Sequence, residues 1–293
     1  MPKYALTLLT LLLWATFSFG DVQSPPPETQ SRDLLEKGLK DKNPETRKNA
    51  VVALSLTGAV DPFPSELETM LDDKDVQVRL AAVASLTDLK NDRTILTLHR
   101  ALKDPVPEVE FAAARSLWNL GDPDGRAALL SVVSGETKTA SGFFAKEKRD
   151  TLRLMHTPKG MFLFAIHTGA AVAPVPGLGA GVASMQGLLS DPSVSGRAAA
   201  ILLVGTEKDD QTLKALRDAI NDKDWSVRAA VAHSLSLRDD PLLEADLKPL
   251  LNDKSDPVRL RAAAGYLRLE AIKSREEGKP PARKTPAAKK SGI

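Results

Sequence analysis

One pattern of polar and apolar positions recurs along the chain: an Asp, five residues, an Arg, then a run of small apolar residues. It appears as Asp41…Arg47, Asp73…Arg79, Asp191…Arg197, Asp222…Arg228 and Asp253…Arg259, and Asp104…Glu110 keeps the spacing without the Arg. Successive Asp positions lie 32, 31, 87, 31 and 31 residues apart. One residue before the Arg position stand Thr46, Val78, Val109, Gly196, Val227 and Val258. Three after it stand Ala50, Ala82, Ala113, Ala200, Val231 and Ala262, and seven after it Leu54, Leu86, Leu117, Val204, Leu235 and Tyr266. These offsets share one face of a helix of about 3.6 residues per turn. The Ala column lets neighbouring helices approach closely. The Asp is expected to open each helix, its carboxylate accepting from the free N–H groups of the first turn. Pro44, Pro105, Pro192 and Pro257 follow it closely, where a missing N–H costs little.

Between these helices lie shorter amphipathic segments, 93–102, 124–133, 210–220 and 241–251. Each unit of about 31 residues is therefore two antiparallel helices. That predicts an all-α fold, a helical-hairpin solenoid. Repetition also argues that the Asp and Arg are structural, because a catalytic group is rarely needed in every unit.

The units resemble HEAT repeats, especially the short kind named for phycobilisome lyases. The third unit carries the likeness in Leu102-Lys103-Asp104-Pro105, Ala112-Ala113-Ala114-Arg115-Ser116-Leu117 and Leu120-Gly121-Asp122-Pro123. The resemblance covers 31–136 and 191–271, an α-α superhelix in two blocks. It implies a hydrogen-bonded ladder between adjacent units, made by Asp41, Asp73, Asp191, Asp222 and Asp253 with Arg47, Arg79, Arg197, Arg228 and Arg259. Glu110 breaks that ladder at the third unit.

The 87-residue step leaves room for an insertion over 137–190. Its first part carries Lys138, Lys146, Lys148, Arg149, Arg153 and Lys159 against Glu147 and Asp150, a net charge of +4. Gly160 to Ser190 then runs 31 residues without a charged side chain. Pro174, Pro176 and the glycines at 177, 179 and 181 divide that run into halves of about 13–14 residues, too short to cross a hydrocarbon core of about 30 Å. Two short apolar helices are expected. They would form a degenerate repeat or a pair buried against the solenoid, or would dock a partner or the membrane face through Phe143, Phe144, Lys146, Lys148, Arg149, Arg153, Met161, Phe162 and Phe164. The glycines lack the spacing and the Lys-Ser/Thr of a phosphate loop.

The ends change the reading of composition. Residues 1–20 read as a secretory signal: Lys3, an uncharged Leu-rich run, then Ser18-Phe19-Gly20. Export is expected, to periplasm or medium, with membrane anchoring if the segment is retained. Residues 21–30 read as a Pro-rich linker, and 272–293 as a basic disordered tail. The formal charge of +2 thus hides a mildly acidic body. Nucleic acid is disfavoured as a partner, which also opposes kinship in function with HEAT-type DNA glycosylases. With 42% hydrophobic residues but only 4% aromatic, the core must be built from Ala, Leu and Val.

Cysteine is absent, which removes thiol chemistry, disulfides and Cys-bound metal. His99, His156, His167 and His233 have no metal-ligand spacing among them. His233 reads as a surface or boundary residue and His99 as a side chain of the inner groove. Ser184 is not in a G-x-S-x-G elbow. Trp118 and Trp225 read as packing between units. No catalytic, cofactor-binding or metal-binding residue is expected, and no cofactor. The expected function is an exported scaffold that binds a protein partner, unidentified, through the concave face of the second helices. A membrane-surface adaptor docking through 138–190 is the alternative, with peripheral contact to anionic lipid. A bilin-lyase-like enzyme is a third reading, opposed by the export signal. The oligomeric state is left open.

Overall fold

The computed structural model describes residues 25–58, 60–133, 181–189, 191 and 193–278. Every regular element among them is helical. In chain order these are α1 (Pro27–Leu39), α2 (Pro44–Leu54), α3 (Phe63–Thr69) and α4 (Val76–Leu89). Then come α5 (Asp92–Ala101), α6 (Pro107–Asn119), α7 (Pro123–Val133) and α8 (Val182–Leu189). The last are α9 (Gly196–Val204), α10 (Asp210–Ala219), α11 (Trp225–Ser236), α12 (Glu244–Leu247) and α13 (Asp256–Glu276). Short 3-10 turns extend α3 to Asp72 and flank α12 from Pro241 to Asn252.

The ladder Asp does not cap the helix that follows it. It holds the turn before the helix, accepting the N–H two residues on: Asn43 at 2.7 Å, Asp75, Val106, Ser193 and Ser255 at 2.8 Å, and Asp224 at 2.9 Å. Capping falls to the next polar residue. Asn43 accepts from Glu45 N, Asp75 from Gln77 N and Val78 N, Ser195 from Ala198 N, and Asp224 from Ser226 N. The carboxylate of the ladder Asp is thereby aimed sideways, towards the neighbouring unit. Short polar side chains favour such local turns over helix interiors.

The helices after each ladder Asp form one layer, and the intervening helices a second. Their stacking order is not the chain order. Helix α13 packs against α11 on one side and α2 on the other, so the first layer runs α9, α11, α13, α2, α4, α6. The C-terminal block comes first and the N-terminal block continues it. Among the described residues α13 has no second helix after it, and α1, which precedes the first ladder Asp, supplies one by packing on α13 and α2. Gln30 Nε2 donates to Asn252 Oδ1 at 2.8 Å across this join. Gly38 lies so close that an added Cβ would stand 2.9 Å from Ala50 Cβ and 3.0 Å from Leu260 Cδ2.

Two boundaries move for the same reason. Helix α1 begins at Pro27, inside the expected linker, because Leu35 and Leu39 bury against the join and proline suits a first helical position. Helix α13 runs past 271 to Glu276, with Ile272 still against the core and Lys273 Nζ 3.6 Å from Glu244 Oε2. The signal segment, residues 21–24 and residues 279–293 lie outside the described residues.

First-layer helices are buried on more than one side. Every residue from Ser226 to Ser236 in α11 is buried. Second-layer helices cover one face, and α8 lies across the other, touching α2, α4 and α11. Each fully buried Leu or Val there contributes roughly 1.5–3 kcal/mol, so a core poor in aromatics is sufficient.

Candidate functional site

The ladder occupies one edge of the stack. Arg47 donates from Nε to Asp73 Oδ2 at 2.7 Å and from Nη2 to Oδ1 at 2.8 Å, while Nη1 reaches the Asp41 main-chain oxygen at 2.9 Å. Arg79 repeats this on Asp104 at 2.8 and 3.1 Å, and Arg228 on Asp253 at 2.6 and 2.8 Å. Each Arg thus binds its own turn and the next unit's carboxylate. Hydrogen bonding from Arg47 holds the Asp73 carboxyl below its ordinary range. Burial pushes the Asp253 carboxyl up, but the Arg228 bonds and the Ser255 N–H outweigh it and the net shift is down. Arg197 meets Asp222 at 2.7 Å from a largely exposed position. Arg259, in the last unit, turns back to Asp256 and to the Asp253 main-chain oxygen. Arg259 therefore leaves the ladder interrupted at the join between α13 and α2; Asp191, before α9 at one end of the described stack, accepts from its own turn. Glu110 stands on α6, the end of the described stack, so the ladder stops at a terminus there.

A second cluster lies under α8 and joins residues from three units. Asp88 Oδ2 accepts the Ala183 N–H at 2.8 Å. Arg261 Nη2 donates to the Ser184 main-chain oxygen at 3.0 Å, and His233 Nδ1 is 3.3 Å from Ser184 Oγ. His233 is buried, not at the surface: α8 covers the column it stands in. Burial, with the Arg261 charge behind it, pushes the His233 pKa down to about 3. Burial alone pulls Arg261 down to about 9, and raises the partly exposed Asp88 to about 7 against the pull of the Ala183 N–H. Ser184 is fully buried, so the Ser184–His233 pair is closed to a substrate. Sequence reasoning missed Arg261 and Asp88. The signal for Arg261 was a column two after the ladder Arg: Asn49, Ala81, Ala112, Ala199, Ala230, then Arg261.

The other singled-out residues are scattered. His99 on α5 sits between two carboxylates, Nε2 3.2 Å from Asp122 Oδ2 and Nδ1 3.4 Å from Asp124 Oδ2. These three groups come within metal-binding reach of one another. Each ring nitrogen faces a different carboxylate, however, whereas a metal needs one nitrogen and the oxygens aimed at a common point about 2 Å from each. A hydrogen bond between the His99 ring and Asp122 describes the cluster better. Trp225 packs on the core, but Trp118 is 56% exposed at the end of α6 rather than enclosed between units. His156 and His167, and the expected docking residues Phe143, Phe144, Lys146, Lys148, Arg149, Arg153, Met161, Phe162 and Phe164, lie outside the described residues.

The paired, repeated helices agree with what a comparison with known protein families finds. A family model described as HEAT repeats matches residues 64–139 and 183–268, together more than half of the chain. The chain belongs to the HEAT-repeat family. No curated protein matches it. Among solved structures, human deoxyhypusine hydroxylase in complex with glycerol is similar at a TM-score of 0.32 and 18% identity, over 83% of this chain and 97% of that one. A designed armadillo repeat protein is similar at a TM-score of 0.24 and 14% identity, over 83% of this chain and 100% of that one. Likenesses this distant carry no function to these HEAT repeats.

Proposed function

We propose that this HEAT-repeat protein is an exported, non-catalytic scaffold whose second-helix layer binds a protein partner. The observation that carries the reading is where large apolar side chains remain exposed. Trp118, Leu203 and Val204 are exposed on α6 and α9, the two end helices of the first layer, where the described stack stops. Away from those ends Leu96 on α5 is 73% exposed, Leu130 on α7 48% and Leu242 before α12 80%. The last three stand on the second layer, among charged groups of both signs such as Arg100, Lys214 and Asp218. Isolated apolar anchors within a polar surround suit a protein interface, and stacked repeats present such surfaces in extended form. Export rests on the first 20 residues, with Lys3 ahead of an uncharged run.

The test is quantitative crosslinking of the exported protein, wild type against Leu96→Glu, Leu130→Glu and Leu242→Glu. Partners recovered with wild type should fall at least tenfold with the triple variant while its helicity is unchanged. Equal recovery would remove the second-layer face as the site. A membrane adaptor is favoured by one feature, the net +4 of residues 138–159 beside 31 uncharged residues. No helix among the described residues is long and apolar enough to cross a membrane, so this reading is of surface contact. Co-sedimentation with anionic vesicles, with and without 138–190, separates the two.

A further inference from the structure

Neighbouring repeat helices bury apolar faces against one another and exchange single side-chain-to-main-chain bonds, such as Ser85 Oγ to the Val51 oxygen at 3.1 Å and Ser234 Oγ to the Ile201 oxygen at 3.4 Å. The start of α8 is instead gripped by Asp88, His233 and Arg261, which bind the Ala183 N–H, the Ser184 hydroxyl and the Ser184 carbonyl. Three side chains from three separate repeat helices thus bind one dipeptide, two of them through its main chain. Helix-binding grooves seat apolar anchors at helical spacing, and here the polar grip on the first turn is added to that. The seating is close. Gly181 enters at φ +83°, and a Cβ there would lie 2.7 Å from Leu56 Cδ2 and 3.0 Å from Leu237 Cδ1. Gly187 faces Val52, and a Cβ added to it would stand 3.2 Å from Val52 Cγ2. Met185, Leu188 and Leu189 are buried.

The stack does not need α8 to hold its order. The Arg47–Asp73 and Arg228–Asp253 bonds and the packing of α13 on α11 and α2 run without it. Its removal would return water to Arg261, which is wholly buried and whose Nε has no hydrogen-bond partner. We propose that α8 is a detachable strap, an in-chain occupant of a helix-binding groove that crosses the first-helix layer and opens while the repeats stay stacked. The ligand class of the open groove is a short helix beginning with a small residue and Ser and carrying apolar residues one and four positions after that Ser, as Met185 and Leu188 do. This site is separate from the second-layer face, and each survives the failure of the other.

Hydrogen exchange on the full chain is the first test. Amides of α8 should exchange at least tenfold faster than those of α11 and α13 in native buffer, and Asp88→Asn should speed α8 alone. Exchange of α8 only in step with α11 and α13 would overturn the proposal. The second test adds a labelled synthetic peptide of residues 181–189 to wild type and to Leu188→Asp, which ejects the chain's own strap. Saturable one-to-one binding at least tenfold tighter to the variant is expected, because the tethered strap competes at high effective concentration. No saturable binding to a variant whose α11 and α13 amides remain protected would overturn it. If Leu188→Asp fails to fold, the exchange pattern of the wild type decides.

Discussion

Arg268 and Leu56 stand 212 residues apart in the chain, yet Arg268 Nη1 donates to the Leu56 main-chain oxygen at 3.3 Å. The bond marks the join where α13 of the last unit meets the end of α2 in the first. Chain order and stacking order therefore differ, and the unit at the join is shared between the two ends of the described chain. A circular permutant should restore continuity: start it near 181, link 278 to 25 through about ten flexible residues, and end it at 133. Far-ultraviolet circular dichroism should match wild type, with a midpoint in urea equal or higher. A permutant that is unfolded would contradict the reversed order.

The units themselves were legible in the sequence because period, Ala column and Asp–Arg spacing all report local helix geometry. Block order was not, since it depends on contacts between residues more than 200 apart. One clue was present. Among the described residues a second-type segment with Leu34, Leu35 and Leu39 lies before Asp41 with no first helix ahead of it, and a first helix with no second lies after Asp253. Two half-units at opposite ends can complete one another. The α8 cluster was illegible for a different reason: Asp88, His233 and Arg261 stand in three different columns of the repeat, each of which holds another polar residue in some other unit, and only the crossing of α8 brings them together.

Ladder pairs should differ in value according to burial. The Arg228 and Asp253 side chains are 7% and 9% exposed, whereas Arg197 is 64% exposed in its pair with Asp222. Removing one member of a buried pair strands the other, so Arg228→Ala should cost about 3–5 kcal/mol. Arg197→Ala should cost about 0–1 kcal/mol. Urea unfolding of the two variants checks the contrast, and equal losses would mean that the ladder is not graded by burial.

Three glycines predict three different outcomes on substitution by Ala. At Gly265 a Cβ would lie 1.7 Å from Ser236 Oγ and 2.7 Å from Ser236 Cβ, where α13 packs on α11. Gly265→Ala should lose about 1–3 kcal/mol through overpacking. Gly121 has open space but φ +82°, so Gly121→Ala should lose about 1–2 kcal/mol through left-handed backbone strain. Gly196, at the first position of α9, has nothing within 4 Å, and Gly196→Ala should gain about 0.4–1 kcal/mol. Thermal midpoints should rank Gly196→Ala above wild type and both others below it.

Opposed titrations meet under α8. His233 is a base whose pKa falls from 6.5 to about 3 on folding, so the unfolded chain takes its proton first. Stability from this group is complete above pH 6.5 and is lost as pH falls towards 3, by up to about 1.4 kcal/mol per pH unit within that window. Asp88 is an acid raised from 3.8 to about 7, so the folded chain takes its proton first. Its contribution runs the other way: stability rises as pH falls from 7 towards 3.8 and is lost as pH rises through that window. In wild type the two slopes oppose one another between about pH 4 and 6.5. Asp88→Asn leaves the histidine slope exposed, and its stability should drop on acidification through that window. His233→Gln leaves the carboxyl slope, and its stability should rise. Urea midpoints at half-unit pH steps would show the two variants diverging as pH falls. Parallel profiles would mean that neither group changes its proton affinity on folding, and that α8 does not seal the cluster from water.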